Sequence, residues 1–171
     1  MKSSIIKCNQ ENVNELQKIS RKTFSETFGA QNSQKNLDEY LKQAYNKEKL
    51  LKEINNPNSQ FYFIKTNHKI AGYLKLNLND AQSEKMSNDD LEVERIYLVK
   101  TMQKLGLGRK LFDKAIAEAK KHHKKTIWLG VWEHNENGKA FYKHLGFKPF
   151  SDHVFQLGDD AQRDILMKKQ V

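Results

Sequence analysis

The sequence holds a single cysteine, Cys8, so no disulfide forms within the chain and a disulfide-stapled scaffold is excluded. It holds only two prolines, Pro57 and Pro149, and no proline-rich linker. It has no long hydrophobic run. The best stretch, Ile127 to Trp132, is far too short to span a bilayer as a helix. Nothing apolar follows Met1 to Ile6, so no signal peptide is expected. No segment repeats. These absences read as one continuous domain over residues 1–171, in a reducing, cytoplasmic setting and not in a membrane.

What is abundant is charge. Charged residues make up 30% of the chain, hydrophobic ones 37% and aromatics 10%, a composition that supports a packed core and excludes a disordered chain. The net charge of +9 attracts anions of every kind: nucleic acid, phospholipid or a polyphosphate cofactor. It does not choose among them. The lysines are scattered, which reads first as a solvated surface. The run Lys120-Lys121-His122-His123-Lys124-Lys125 offers a nucleic-acid contact, but no aromatics are interleaved with it for base stacking. It reads better as the positive cap of a helix C-terminus.

Periodicity supplies the elements. Residues 3–8 read as a short edge strand. Val13, Leu16, Ser20, Phe24, Thr27 and Phe28 recur at helical spacing, with a stop at Gly29. A second helix carries Leu37, Tyr40, Leu41, Ala44 and Tyr45, and a short third one Leu50, Leu51 and Ile54. Residues 61–64 and 70–74 flank Asn67-His68 as a hairpin. A polar loop over 79–90 leads to a strand from Leu91 to Val99. A glycine loop and a helix with Leu111, Phe112, Ala115, Ile116 and Ala119 on its apolar face follow. Thr126 to Trp132 reads as a buried strand, Asn137 to Leu145 as a helix closed by Gly146, and the remainder as two or three strands. Helices, a meander and then a strand–helix–strand unit make a mixed α/β domain.

The stretch Leu91 to Phe112 is an anion cradle in physical terms. Glycines let a backbone approach its ligand, and the N–H groups that open a helix point at phosphate oxygens. Lys104, Arg109 and Lys110 add positive charge. The kinase-type loop Gly-x-x-x-x-Gly-Lys-Ser/Thr is absent, and the third glycine of a dinucleotide fingerprint is replaced by Leu111. The spacing Gln103-x-x-Gly106-x-Gly108 after a strand resembles the pyrophosphate loop of the Gcn5-related N-acetyltransferases, the GNAT superfamily. Asn135, Tyr142, Gly146 and Phe147 follow the spacing of that family's second half, with Gly138 where an alanine is usual. Four further stretches are similar to the bacterial spermine/spermidine N-acetyltransferases: Phe24 to Gly29, Asn56 to Phe63, Ala71 to Asn77, and Leu157 to Asp160.

The resemblance implies a GNAT acyl-CoA N-acyltransferase fold: a twisted, mostly antiparallel sheet flanked by helices, with Leu91–Val99 and Thr126–Trp132 splayed to admit acetyl-CoA. It implies that the backbone at Ile96, Tyr97 and Leu98 binds the pantetheine arm. Gln103, Lys104, Leu105, Gly106, Leu107, Gly108, Arg109 and Lys110 then hold the pyrophosphate. Asn135 either bonds the cofactor arm or caps a helix, and both roles are compatible. Tyr142 either protonates the leaving thiolate or anchors the core. Removing a proton from the acceptor amine calls for a carboxylate, Glu92 or Glu94. Strand alternation puts both on one face about 7 Å apart unless a bulge intervenes. Glu92 is slightly favoured. Either is alternatively a surface carboxylate paired to lysine.

The implied acceptor is a primary amine, with spermidine or spermine as the narrow reading. A polycation needs local acid in a basic protein. The acids Glu84, Asp89, Asp90, Glu92 and Glu94 supply it, with Glu26 from the first helix. Phe24, Thr27 and Phe28 are candidate acceptor walls. None of the six histidines sits in a metal-ligand spacing, so no metal is expected; His134 and His153 are at most pocket residues. The competing readings are a protein or other small amine as acceptor, or a module that binds acetyl-CoA or nucleic acid without turnover. The family resemblance also admits a homodimer.

Overall fold

The structure is a computed structural model that describes residues 1–171. Seven strands form one sheet in the order β1-β2-β3-β4-β5-β7-β6. They are β1 (Ser3–Lys7), β2 (Ser59–Thr66), β3 (Lys69–Leu78), β4 (Asp90–Leu98), β5 (Thr126–Trp132), β6 (Lys148–Leu157) and β7 (Asp160–Gln170). Every neighbouring pair is antiparallel except β4 and β5, which run parallel. A parallel pair needs a crossover, and α4 (Leu107–Lys121) provides it. The other helices are α1 (Val13–Phe28), α2 (Gln34–Ala44), α3 (Lys47–Asn55) and α5 (Glu136–His144).

The sheet is covered on both faces, and the sequence of β2 shows why. Phe61, Tyr62, Phe63 and Ile64 are all buried, so alternate side chains feed two separate cores. Phe61 and Phe63 join Leu16, Phe24 and Phe28 of α1 and Leu50 of α3. Tyr62 and Ile64 join Leu107, Leu111, Phe112 and Ala115 of α4 and Tyr142 of α5. No helix is long and apolar enough to cross a membrane.

One local expectation changes and others hold. Gly29 does not end α1 in a left-handed cap: its φ is −62°, and the chain runs on into a 3-10 turn over Gly29–Gln31. Gly146, with φ +95°, does take the left-handed position that stops a helix. The segment after Phe147 is one ten-residue edge strand, β6, which tolerates Pro149 near its start and shifts register between Pro149 and Ser151. The basic run 120–125 ends α4, and Lys124 and Lys125 reach back to Asn88 and Asp89 before β4.

Candidate active site

β4 and β5 pair only at Asp90–Thr126, Leu91–Ile127 and Glu92–Trp128. Beyond Glu92 the two strands diverge, and a cavity of about 870 Å³ opens between them. Its walls include Val93 to Leu98 of β4 and Leu129 to Trp132 of β5. Parallel strands that part leave unpaired backbone N–H and C=O groups along β4, which an extended ligand can take up as an added strand. Ile96, Tyr97 and Leu98 stand on this edge.

One end of the cavity is the glycine loop. Lys104 and Gly106 both have positive φ, +62° and +82°, which turns the chain sharply into α4. A methyl at Gly106 would touch nothing, so its glycine answers to conformation and not to crowding. No side chain caps α4, leaving its opening N–H groups for an anion. Gln103, Lys104, Gly106, Gly108 and Arg109 line the cavity. The other three loop candidates lie differently. Leu107 is core, Leu105 is half exposed, and Lys110 donates to Ser3 Oγ on β1 at 2.6 Å. Leu105, Leu107 and Lys110 do not line the cavity.

Asn135 is the N-cap of α5, its Oδ1 accepting from the Gly138 N–H at 2.9 Å, and it also lines the cavity. The glycine at 138 has a local reason: a Cβ there would sit 2.6 Å from Asn135 Nδ2. Tyr142 lines the cavity from α5. Burial raises its pKa well above the phenol range, so the hydroxyl stays protonated.

The two carboxylates of β4 have different fates. A bulge against β3 sets Lys75 opposite Arg95 and Leu76 opposite Val93, leaving Glu94 as the extra residue. The bulge turns Glu94 and Arg95 to the same side. Glu94 then pairs with Lys75 at 3.0 Å and Arg95 at 3.1 Å, and Glu53 of α3 closes the network on both cations. Burial opposes ionisation of Glu94, but Arg95 and Lys75 overcome it and hold its pKa at about 2. Glu92 has no cation. Burial, and then the charge of Glu94, raise its pKa above the usual carboxylate range, against hydrogen bonds from Ser83 and Asn77. Asn77 Nδ2 donates to both glutamates, at 2.9 and 2.8 Å. Glu92 thus lacks a cationic partner and resists ionisation, while Glu94 is held ionised by two cations.

The far end is aromatic and acidic. Phe24 stacks on Phe28 and Tyr40, and Phe28 meets Trp132 and Phe155. These rings line the cavity, as does Thr27, whose hydroxyl bonds back to Thr23 O. Glu26 accepts from the Lys100 N–H at 3.0 Å and ties α1 to the turn after β4. Asp89 and Asp90, expected among the acids of the acceptor site, do not line the cavity: they stand at the start of β4, where it is still paired to β5, Asp90 accepting from Ser87 and Asp89 facing Lys125. The acid that sequence reasoning missed is Asp164. Its Oδ2 lies 3.1 Å from His153 Nε2, and His153 Nδ1 meets Glu84 at 2.6 Å. Burial raises the Asp164 pKa against the pull of His153. Asp164, His153 and His134 line the cavity with Ser83 and Arg95. No local motif marks Ser83, Arg95 or Asp164. No three His, Cys, Asp or Glu side chains gather as metal ligands.

Comparison with known proteins agrees with this architecture. Over 165 residues the chain is 47% identical to an uncharacterized N-acetyltransferase in the pepI 3' region of Lactobacillus delbrueckii subsp. lactis, covering 96% of this chain and 95% of that one. Among solved structures, the PaiA N-acetyltransferase of Thermoplasma acidophilum, in complex with coenzyme A, superposes over all of both chains with a TM-score of 0.82 at 24% identity. The Escherichia coli ribosomal-protein-S18-alanine N-acetyltransferase superposes over 99% of this chain and 94% of that one, with a TM-score of 0.72 at 17% identity. The model of the acetyltransferase (GNAT) family matches residues 14–147. The parted strands, the uncapped helix behind the glycine loop and the carboxylate beside them thus have their explanation: the chain belongs to the acetyltransferase (GNAT) family and is an N-acetyltransferase that draws on acetyl-CoA.

Proposed function

We propose that the chain acetylates a primary amine of a small, multiply charged acceptor such as spermidine or spermine, by direct attack with both substrates bound. The observation that carries this reading is the polarity of one continuous cavity. Its coenzyme end offers backbone N–H groups with Lys104 and Arg109, while its far end offers aromatic walls with Glu92 and Asp164. Pyrophosphate suits the first end. An alkyl chain bearing ammonium groups suits the second, because aromatic faces and carboxylates both attract cations.

The residues divide the work. Acetyl-CoA supplies a thioester whose carbonyl accepts the amine and whose thiolate leaves. The residue 103–109 loop and the open edge of β4 hold and orient it. An amine of pKa ~10.4 pays roughly 4–5 kcal/mol to shed its proton at pH 7. Glu92, uncharged by any cation and raised in pKa, accepts that proton. Tyr142, kept protonated by burial, donates to the leaving sulfur. The aromatic walls exclude water from the thioester. Cys8 takes no part: it is buried away from the cavity, and burial pushes its thiol up to about 12. A cytosolic setting fits that single protected thiol.

The test is thiol release from acetyl-CoA with spermidine, spermine, putrescine, a lysine peptide and no acceptor in parallel. Turnover selective for spermidine or spermine supports the reading. Turnover confined to the lysine peptide moves the acceptor to a protein amine. Binding of acetyl-CoA without turnover on any of these acceptors overturns the polyamine reading and opens that of a module that senses acetyl-CoA.

A further inference from the structure

Three consecutive residues of the segment between β3 and β4 are each tied to a different strand. Gln82 Oε1 accepts from the Trp128 indole of β5 at 2.8 Å. Ser83 donates to Glu92 of β4 through its N–H, at 2.7 Å, and through its hydroxyl. Glu84 meets His153 of β6. The segment is a strap pinned over the acceptor end of the sheet.

The strap changes what Glu92 can touch. Glu92 is only 3% exposed. Oε1 receives the Ser83 N–H and Asn77 Nδ2, and Oε2 receives the Ser83 hydroxyl. No oxygen of the carboxylate is left without a donor. Ser83 itself is exposed and lines the cavity. Both residues line the cavity, but Ser83 is exposed where Glu92 is nearly buried, so the serine hydroxyl is the more accessible of the two.

We propose that Ser83 is a catalytic proton relay: its hydroxyl accepts the proton of the acceptor ammonium while passing its own proton to Oε2 of Glu92. The step balances. The N–H bond of the ammonium breaks and a new O–H bond forms at Ser83 Oγ. The former Ser83 O–H bond breaks and one forms at Glu92. The products are a neutral amine, an unchanged serine and a protonated glutamate. A hydroxyl already donating to a carboxylate is polarised to accept in this way, and its pinned backbone holds it there at no cost in ordering. The inference rests on Glu92 being the base.

The experiment compares kcat across pH for the wild type, Ser83→Ala, Ser83→Thr, Glu92→Gln and the double variant Ser83→Ala/Glu92→Gln. The acid limb of the profile reads Glu92. The groups facing it are Glu94 on its own strand, Asn77 from β3 and Ser83 from the strap, with Trp128 of β5 in register beside it. Glu94 stays ionised through this range, held by Lys75 and Arg95. Losing the serine hydroxyl removes a donor to the carboxylate, so the limb moves to higher pH in Ser83→Ala. That shift alone is a tuning effect, and it vanishes on the high-pH plateau where Glu92 is ionised in both proteins. A relay does not vanish there. The expected result is a plateau kcat about tenfold or more below wild type for Ser83→Ala. Ser83→Thr is expected within about threefold of wild type, and Ser83→Ala should cost nothing further in the Glu92→Gln background. A Ser83→Ala plateau equal to wild type overturns the relay while leaving Glu92 as the base. A Glu92→Gln enzyme with wild-type kcat overturns the base reading itself, and the relay with it.

Discussion

Glu94→Gln and Glu92→Gln should break different properties, although the two residues share a strand and an asparagine. Glu94 answers two nearly buried cations, Lys75 and Arg95. Removing its charge leaves Glu53 as their sole counter-ion. The fall of the Glu94 pKa from 4.5 to about 2 corresponds to about 3 kcal/mol at 1.36 kcal/mol per pKa step. Its sign is set by linkage. A carboxyl depressed in the folded state stabilises fully above its unfolded pKa of 4.5, and that stability is lost as pH falls toward about 2. Glu94→Gln should therefore be about 3 kcal/mol less stable than wild type at pH 7, or about 6–12 °C lower in Tm for a chain of this size. The gap should narrow as the pH is lowered below 4.5. Urea unfolding at pH 7 and at pH 3.5 measures it. Glu92 stands the other way. A carboxyl raised by burial is a net cost when ionised, so Glu92→Gln should keep or gain stability at pH 7 while kcat collapses about 10²-fold or more. A Glu94→Gln protein of wild-type stability and lost kcat would refute the division of roles.

Further outcomes follow from single positions. Tyr142→Phe should lower kcat several-fold while leaving the KM for acetyl-CoA nearly intact, because the ring that lines the cavity is kept and only the hydroxyl is lost; steady-state kinetics read both. Gly106→Ala places a side chain at φ +82°, so it should cost about 1 kcal/mol in melts and raise the KM for acetyl-CoA. Asp164→Asn should raise the KM for a diamine or polyamine about tenfold and leave that for a simple monoamine unmoved; equal effects on both would remove Asp164 from acceptor recognition.

Much of the fold was legible because its signals are local. The periods of α1 and α4, the Asn67-His68 turn, the glycine loop and the Asn135-to-Phe147 spacing all lie within short windows, and backbone conformation is decided within such windows. The twin readings of Asn135 could be held together because a cap and a cavity wall are compatible at one helix start. The end of α1 was less legible: Gly29 permits a left-handed cap but does not compel one, and here it stays right-handed at φ −62°.

The site was legible only by half. Sequence alone placed the phosphate loop, the splayed strand pair and two candidate glutamates, since each sits on one segment or its immediate neighbour. It favoured Glu92 over Glu94 only slightly. That choice depends on a bulge at Lys75/Leu76 and on Lys75, Arg95 and Glu53 arriving from three elements. Ser83 reads as an ordinary loop serine until the strap is laid over β4, and Asp164 lies far along the chain from Glu92 until β7 pairs with β5. Backbone propensity is a property of neighbouring residues, so the sequence determined the elements. A carboxylate's charge, burial and partners are set by whatever the chain brings beside it, so only the tertiary structure decided which acid is paired with cations and which is buried without one.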